Sequence, residues 1–172
     1  MVVTHPIPPV VADDSRALLL GSFPSPMSRE VGFFYGNPRN RFWAVLAGLW
    51  DEPAPAAEDA AELNRLRRDL CLRHHVALWD VLASCSIRGA SDASIADPVP
   101  NDLAPLLARA PIARVFCTGS AAHALYRRFQ EPALGMPATR LPSTSPANAR
   151  WRLPELLEAW RPVREAAEGR LP

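Results

Sequence analysis

The sequence predicts an α/β protein in which a parallel sheet is covered by helices on both faces. Three observations carry that prediction. Segments with strand character alternate with segments of helical periodicity along the chain. The strand segments are short, continuous apolar runs rather than apolar–polar alternations, the pattern of strands buried on both faces. The chain has 172 residues, 48% hydrophobic and 22% charged, the size and balance of one domain with a substantial core.

Residues 1–15 read as an extended, proline-rich arm. Ala17–Leu20 form the first buried strand, closed by Gly21. The loop that follows, 21–37, is long and carries prolines, glycines and aromatic residues; long ordered loops of this kind are commonly functional. Pro38 opens a helix in which Phe42, Val45, Leu46 and Leu49 recur at helical spacing. Residues 51–57 form a turn, and 58–73 an amphipathic, arginine-rich helix whose Arg65, Arg67 and Arg68 read as solvated. HVALWDVL at 75–82 is the second strand, and 84–100 is a long polar loop. Asn101 is a good N-cap for a helix over 101–110. Residues 112–120 form the third strand, ending at Gly119, and Ser120 starts the next helix. Residues 138–149 begin as the fourth strand and become a Ser/Pro loop, and 151–160 form the last helix. The domain therefore spans 16–162, with 163–172 as a frayed tail. The loops 21–37, 83–100 and 141–149 follow three of the four strands and should meet on one rim, where parallel sheets bind ligands.

The net charge of +1 excludes a strongly basic, histone-like binder but leaves room for a local basic face. All 19 basic residues are arginine, so no side-chain amine exists for Schiff-base chemistry; the α-amino group of Met1 is the one amine left. Cys71, Cys85 and Cys117 are odd in number and widely spaced, with no CxxC, which argues against a disulfide framework or a thiolate metal site. His5, His74, His75 and His123 have no ligand-like spacing with them. Free thiols in a reducing cytosol are expected, with no metal and no other cofactor. The start MVVTHPIPPVV lacks a basic n-region and is broken by prolines, unlike a signal peptide. No apolar run approaches the ~18 residues of a membrane span. A cytoplasmic chain with no membrane partner is expected.

No phosphate-cradling GxxxxGK[ST] or GxGxxG occurs, and no GxSxG elbow. A Ser–His–Asp arrangement would need Ser22, Ser25 or Ser143 with His74 or His75, and nothing in the spacing favours it. The first loop is more informative. Phe33, Phe34 and Tyr35 are followed by two carboxamides, Asn37 and Asn40, with Arg39 and Arg41 alongside. A planar base can stack on such a ring while an amide reads its edge. Phe42 and Trp43 read instead as core. The last loop, LPSTSPANAR, offers hydroxyls, backbone N–H groups and Arg150, which suits either a phosphate contact or a helix-capping turn.

The segments GSFPS (21–25), GFFYGNPRNRFW (32–43), LWDV (78–81), GASDASI (89–95), NDL (101–103) and LPSTSPAN (141–148) occur in that order. In them the chain resembles the uracil-DNA glycosylase superfamily, and within it the hypoxanthine-DNA glycosylase (DNA-deoxyinosine glycosylase) family, over about residues 16–150. The resemblance implies a three-layer α/β/α sandwich with a four-stranded parallel sheet of order 2-1-3-4. It implies excision of a deaminated base from DNA, most simply hypoxanthine. Mismatch-specific uracil glycosylases carry a water-activating Asn in the loop after strand one; here that loop reads GSFPS, which argues against ordinary uracil excision. In the hypoxanthine family the catalytic amide comes from the GNP stretch, so the resemblance implies Asn37 for that role, with Asn40 in NRFW as the competing assignment. The resemblance implies that Gly21, Ser22, Phe23, Pro24 and Ser25 with Tyr35 line the base pocket, Tyr35 falling where the superfamily places its stacking ring. Ser143, Thr144, Ser145, Pro146 and Asn148 fall where the superfamily grips the DNA backbone. Three scattered cysteines argue against the iron–sulfur cluster of some branches.

On this reading a monomer extrudes the nucleotide and holds the base while a water is placed under C1′. A carboxamide is no strong base, so Asn37 orients water through its oxygen. Backbone N–H groups around Ser22–Ser25 bind a purine O6 or N7, or the developing anion. Arg39, Arg41, Arg88 and Arg150 are the expected phosphate contacts on duplex or single-stranded DNA. The other readings are a uracil or broad-range glycosylase of the same fold, and a non-catalytic nucleic-acid-binding module.

Overall fold

The structure is a computed structural model that describes residues 1–170; Leu171 and Pro172, the end of the expected tail, lie outside the described residues. The elements in order are β1 (Val2–Thr4), β2 (Ala17–Gly21), α1 (Pro26–Val31), α2 (Phe42–Gly48), α3 (Ala60–Arg73), β3 (Val76–Asp80), β4 (Leu82–Ser86), β5 (Ala96–Pro100), α4 (Ala104–Arg109), β6 (Arg114–Thr118), α5 (Ser120–Phe129), α6 (Glu131–Leu134), β7 (Ala138–Leu141) and α7 (Leu153–Ala167). Strands β3, β2, β6 and β7 pair in that spatial order, all parallel. In terms of the four expected strands this is the order 2-1-3-4.

All five residues of β2 are buried, because its continuous apolar run serves two layers at once. Ala17 and Leu19 pack with Phe42 and Leu46 of α2, Leu70 of α3 and Trp160 of α7. Leu18 and Leu20 pack on the opposite side with Leu106 of α4 and Ala122 and Tyr126 of α5. The pleat sends alternate side chains to opposite faces, and each face meets a helical layer. Among the described residues no helix is long and apolar enough to cross a membrane.

Several local expectations are corrected. The 84–100 stretch, expected as a polar loop, is partly strand: β4 and β5 form an antiparallel pair, and β1 of the expected arm completes a second sheet of order β1-β4-β5. Prolines 98 and 100 hide β5, yet it is an edge strand, where a residue without N–H is tolerated. The chain passes from β3 into β4 across Val81, so the expected strand 75–82 feeds two sheets. The first loop contains α1, capped by Ser25 Oγ, which accepts from Ser28 N at 3.1 Å. Asn101 caps no helix. It is buried, and its Nδ2 donates to the carbonyls of Asp80 (2.9 Å) and Leu82 (3.1 Å), pinning the β3–β4 crossing. Asp102 Oδ1 instead accepts from Ala104 N at the start of α4. Helix α7 continues to Ala167 rather than ending at Trp160. Arg67 is buried, with its guanidinium 5.3 Å from the Trp43 ring, whereas Arg65 is exposed and paired with Glu62 and Asp69.

Candidate active site at the carboxyl ends of the strands

The loops after β2 and β7 and the loop between β4 and β5 meet over one cleft of about 590 Å³. Its lining includes Gly21, Ser22, Phe23, Pro24, Ser25, Tyr35, Asn37, Arg39, Asn40, Asp80, Asp92, Thr118, Ser143, Thr144, Ser145 and Pro146. Most of the residues singled out in the sequence are thus brought together. Arg88 is exposed outside this lining, and Asn148 and Arg150 line an adjoining cleft of about 780 Å³.

At the floor, the sheet register sets Gly21 opposite Asp80. A Cβ at position 21 would stand 2.4 Å from Asp80 Oδ1 and 3.1 Å from the Tyr35 hydroxyl, so only glycine lets these atoms close in. Tyr35 sits in the left-handed region at φ 51°, a conformation uncommon for a side chain of this size. Its ring stacks on Phe42 with centroids 3.8 Å apart and planes 3° from parallel. Its hydroxyl lies 2.8 Å from Thr118 Oγ1, which donates on to Leu20 O at 3.4 Å. Burial, reinforced by Asp80, holds the Tyr35 phenol far above its ordinary range, so it serves as a neutral hydrogen-bonding group.

The two carboxamides differ in what they have left to offer. Asn40 Oδ1 accepts from Phe42 N (2.9 Å) and Thr144 Oγ1 (2.8 Å). Both lone pairs are engaged, and the residue staples the first loop to the last. Asn37 Oδ1 accepts once, from Arg39 N at 3.0 Å, and keeps a second acceptor site. Thr144 is only 2% exposed, with its hydroxyl committed to Asn40. Ser143 and Ser145 Oγ accept from nearby backbone N–H groups, and Asn148 Nδ2 donates to Ser143 O. Arg41, expected on DNA, is committed internally: its guanidinium donates to the carbonyls of Ser145, Asn148 and Trp151 and ties the last loop down. Arg39, Arg88 and Arg150 are exposed, as is Arg140 of β7, which lines the adjoining cleft and was missed in the sequence. The Ser–His–Asp arrangement is excluded by distance. His74 and His75 precede β3 and pair with Glu52 and Asp14, the length of a five-residue strand away from the cleft, about 17 Å.

Three further residues were not identified from the sequence. Asp80 is 4% exposed, and its Oδ2 accepts from His5 Nε2 at 2.7 Å. His5 comes from the expected arm, which folds back so that the imidazole lies against Phe23, Phe34 and Trp79. Asp92, on the loop between β4 and β5, accepts from Ser22 Oγ at 2.7 Å. Burial pushes its carboxyl above the ordinary range; the Ser22 hydrogen bond opposes this and Asp80 adds to it. An Asp closing an apolar strand in LWDV was the one available signal. The pairings themselves span 75 and 70 residues.

The sequence model of the Uracil DNA glycosylase superfamily matches residues 8–164. A protein of Methanosarcina acetivorans named Hypoxanthine DNA glycosylase is 32% identical over 154 residues, covering 87% of this chain and 91% of that protein. A protein of the same name from Methanosarcina barkeri is 31% identical over 105 residues, covering 60% of this chain and 63% of that protein. The solution NMR structure of a putative uracil DNA glycosylase from M. acetivorans superposes with a TM-score of 0.75 at 27% identity, covering 95% of this chain and 99% of that one. The parallel sheet, the cleft above its carboxyl ends and these matches agree: the chain belongs to the uracil-DNA glycosylase superfamily and is a DNA glycosylase.

Proposed function

We propose that this chain excises hypoxanthine from DNA by hydrolysis, acting as a cytoplasmic monomer and leaving an intact abasic site. The observation that carries the reading is the cleft itself, where a stacking ring backed by Phe42 and an amide oxygen with a free acceptor site stand together. The two relatives named for hypoxanthine support the choice of base. All the groups invoked come from one chain.

The flipped base stacks on Tyr35. Among the described residues, the backbone N–H groups of Phe23 and Ser25 donate to no acceptor and serve the base carbonyl or the anion that develops as the bond breaks. The C1′–N9 bond breaks with its electron pair going to the base, the sugar becomes cationic, a water oriented by Asn37 Oδ1 adds to C1′ and gives up one proton to solvent, and the departing base anion takes one up. Asn40 offers only its Nδ2 hydrogens. Arg39, Arg88, Arg140 and Arg150 hold phosphates, and Ser143, Ser145 and Asn148 shape the loop that meets the backbone. The loop after β2 reads GSFPS and carries no side-chain amide, which supports hypoxanthine over uracil as the base. Single-turnover excision on matched duplexes and single strands carrying hypoxanthine, uracil or xanthine tests the reading. Hypoxanthine should be released fastest; preferential release of uracil would refute the base assignment, and no release would leave a binding module.

A further inference from the structure

We infer that Ser28 and Trp43 are positioning residues for excision: the hydroxyl of one and the indole of the other clamp the two peptide groups that flank Tyr35, and so set where its ring and the Asn37 amide stand in the cleft. The inference deepens the function proposed above and rests on it for the roles of Tyr35 and Asn37.

Tyr35 is the strained point of the first loop. Its φ of 51° lies in the left-handed region, which a bulky residue keeps only where its surroundings over-determine it. The neighbouring glycine does not take up that strain. Gly36 is used for closeness instead: a Cβ there would stand 2.7 Å from Val31 Cγ2 and 3.2 Å from Ser28 Cα. The Tyr35–Gly36 peptide therefore lies directly against α1, and Gly36 N donates to Ser28 Oγ at 3.0 Å. On the other side, the Phe34 carbonyl accepts from Trp43 Nε1 at 3.2 Å in a buried hydrogen bond. The two peptide planes that define φ and ψ of Tyr35 are thus each tied to a helix, one to α1 and one to α2.

Both anchors are themselves held. Ser28 is the buried residue of α1, 2% exposed. Its carbonyl accepts from Gly32 N and Phe33 N, and its Oγ also accepts from Ser25 Oγ at 3.0 Å. One hydroxyl therefore joins the loop after β2 to the Tyr35 turn. The Trp43 ring is stacked on Phe33 at 5.8 Å and lies beneath the Arg67 guanidinium. Without either anchor Tyr35 can relax toward negative φ. That turns the next peptide and moves Asn37, two residues on, away from C1′. A misplacement of about 1 Å in a reacting group costs on the order of 10²-fold in rate.

The test is single-turnover excision by the full chain on a hypoxanthine duplex, with affinity for a duplex carrying an abasic site measured beside it. Ser28→Ala removes the acceptor for Gly36 N. Trp43→Phe removes the donor to Phe34 O and keeps a ring. Each should slow excision about 10- to 100-fold and leave abasic-site affinity within a few-fold, because that duplex has no base to stack. The double variant should be about as slow as the slower single one, since both anchors act on one turn. Thermal melts establish that each variant is folded at the assay temperature. Where Ser28→Ala is not, Ser28→Cys takes its place, with the same shape and a weak acceptor. Folded variants that excise at the wild-type rate, or lose abasic-site affinity in step with excision, overturn the clamp and leave the proposed function standing. So does a double variant whose loss is the full product of the two single losses. Wild-type release of uracil in place of hypoxanthine overturns the base assignment alone, and the clamp is then judged on uracil. No release of any base overturns both.

Discussion

Asn37 and Asn40 lie three residues apart, and their hydrogen bonds assign them different work. Asn37→Ala should reduce single-turnover excision by roughly 10²-fold or more, the scale of a single polar catalytic group, and leave DNA affinity within a few-fold. Asn40→Ala removes the common acceptor of Phe42 N and Thr144 Oγ1 and should lower stability by about 1–3 kcal/mol, read by denaturant unfolding. Full activity in Asn37→Ala with loss in Asn40→Ala alone would transfer the role. Asp92 gives a pH-dependent expectation. Its carboxyl is pushed up by burial, so the folded state binds that proton more tightly than the unfolded chain. Its contribution is most favourable below the ordinary carboxylate range and is lost as pH rises through the raised value. Asp92→Asn, which keeps an acceptor for Ser22, should therefore raise Tm at neutral pH and leave it nearly unchanged in acid. At this scale the sequence disclosed Tyr35 and the two amides, because they sit together in one segment. It did not disclose His5 with Asp80, because only the fold brings residues 75 positions apart into contact.

The element that places the site is the central strand β2, and its last residue is the tightest point. Gly21→Ala puts a methyl group between Asp80 and the Tyr35 hydroxyl. Asp80 is short and held by His5, so it cannot swing away freely. The substitution should cost about 1–3 kcal/mol, the usual range for overpacking, and should reduce excision together with Tm; a variant with wild-type melting and activity would refute the tight floor. The parallel strands were readable from sequence because burial on both faces leaves an unbroken apolar run. The second sheet was not. Strand β1 has three residues, β5 carries two prolines, and β4 has a mixed burial pattern that matches neither template. Arg41 shows the same limit: its spacing beside Asn37 suggests a DNA contact, whereas the folded loop spends it on three carbonyls.

At the scale of the whole molecule a net charge of +1 conceals a local asymmetry. Arg39, Arg88, Arg140 and Arg150 are exposed and without a side-chain partner among the described residues. Affinity for DNA should fall with salt at a log–log slope of about −0.9 per phosphate contact, and each Arg→Ala change should make the slope shallower by about one unit. A salt-independent affinity would contradict that binding face. The absence of lysine bears on chemistry throughout the molecule, because an enzyme that also cuts the strand needs an amine to form an imine at C1′, and arginine stays protonated. The α-amino group at Met1 is closer than the sequence suggested. The arm delivers His5, four residues away, against Asp80 of the cleft lining, about 14 Å of extended chain from Met1. The most direct measurement is therefore mass spectrometry of the products from a hypoxanthine oligonucleotide, with and without borohydride. Hydrolysis should yield free hypoxanthine, an unbroken strand with one abasic site, and no protein–DNA adduct. Strand cleavage without alkali, or an efficiently trapped adduct, would contradict hydrolysis by an Asn37-oriented water.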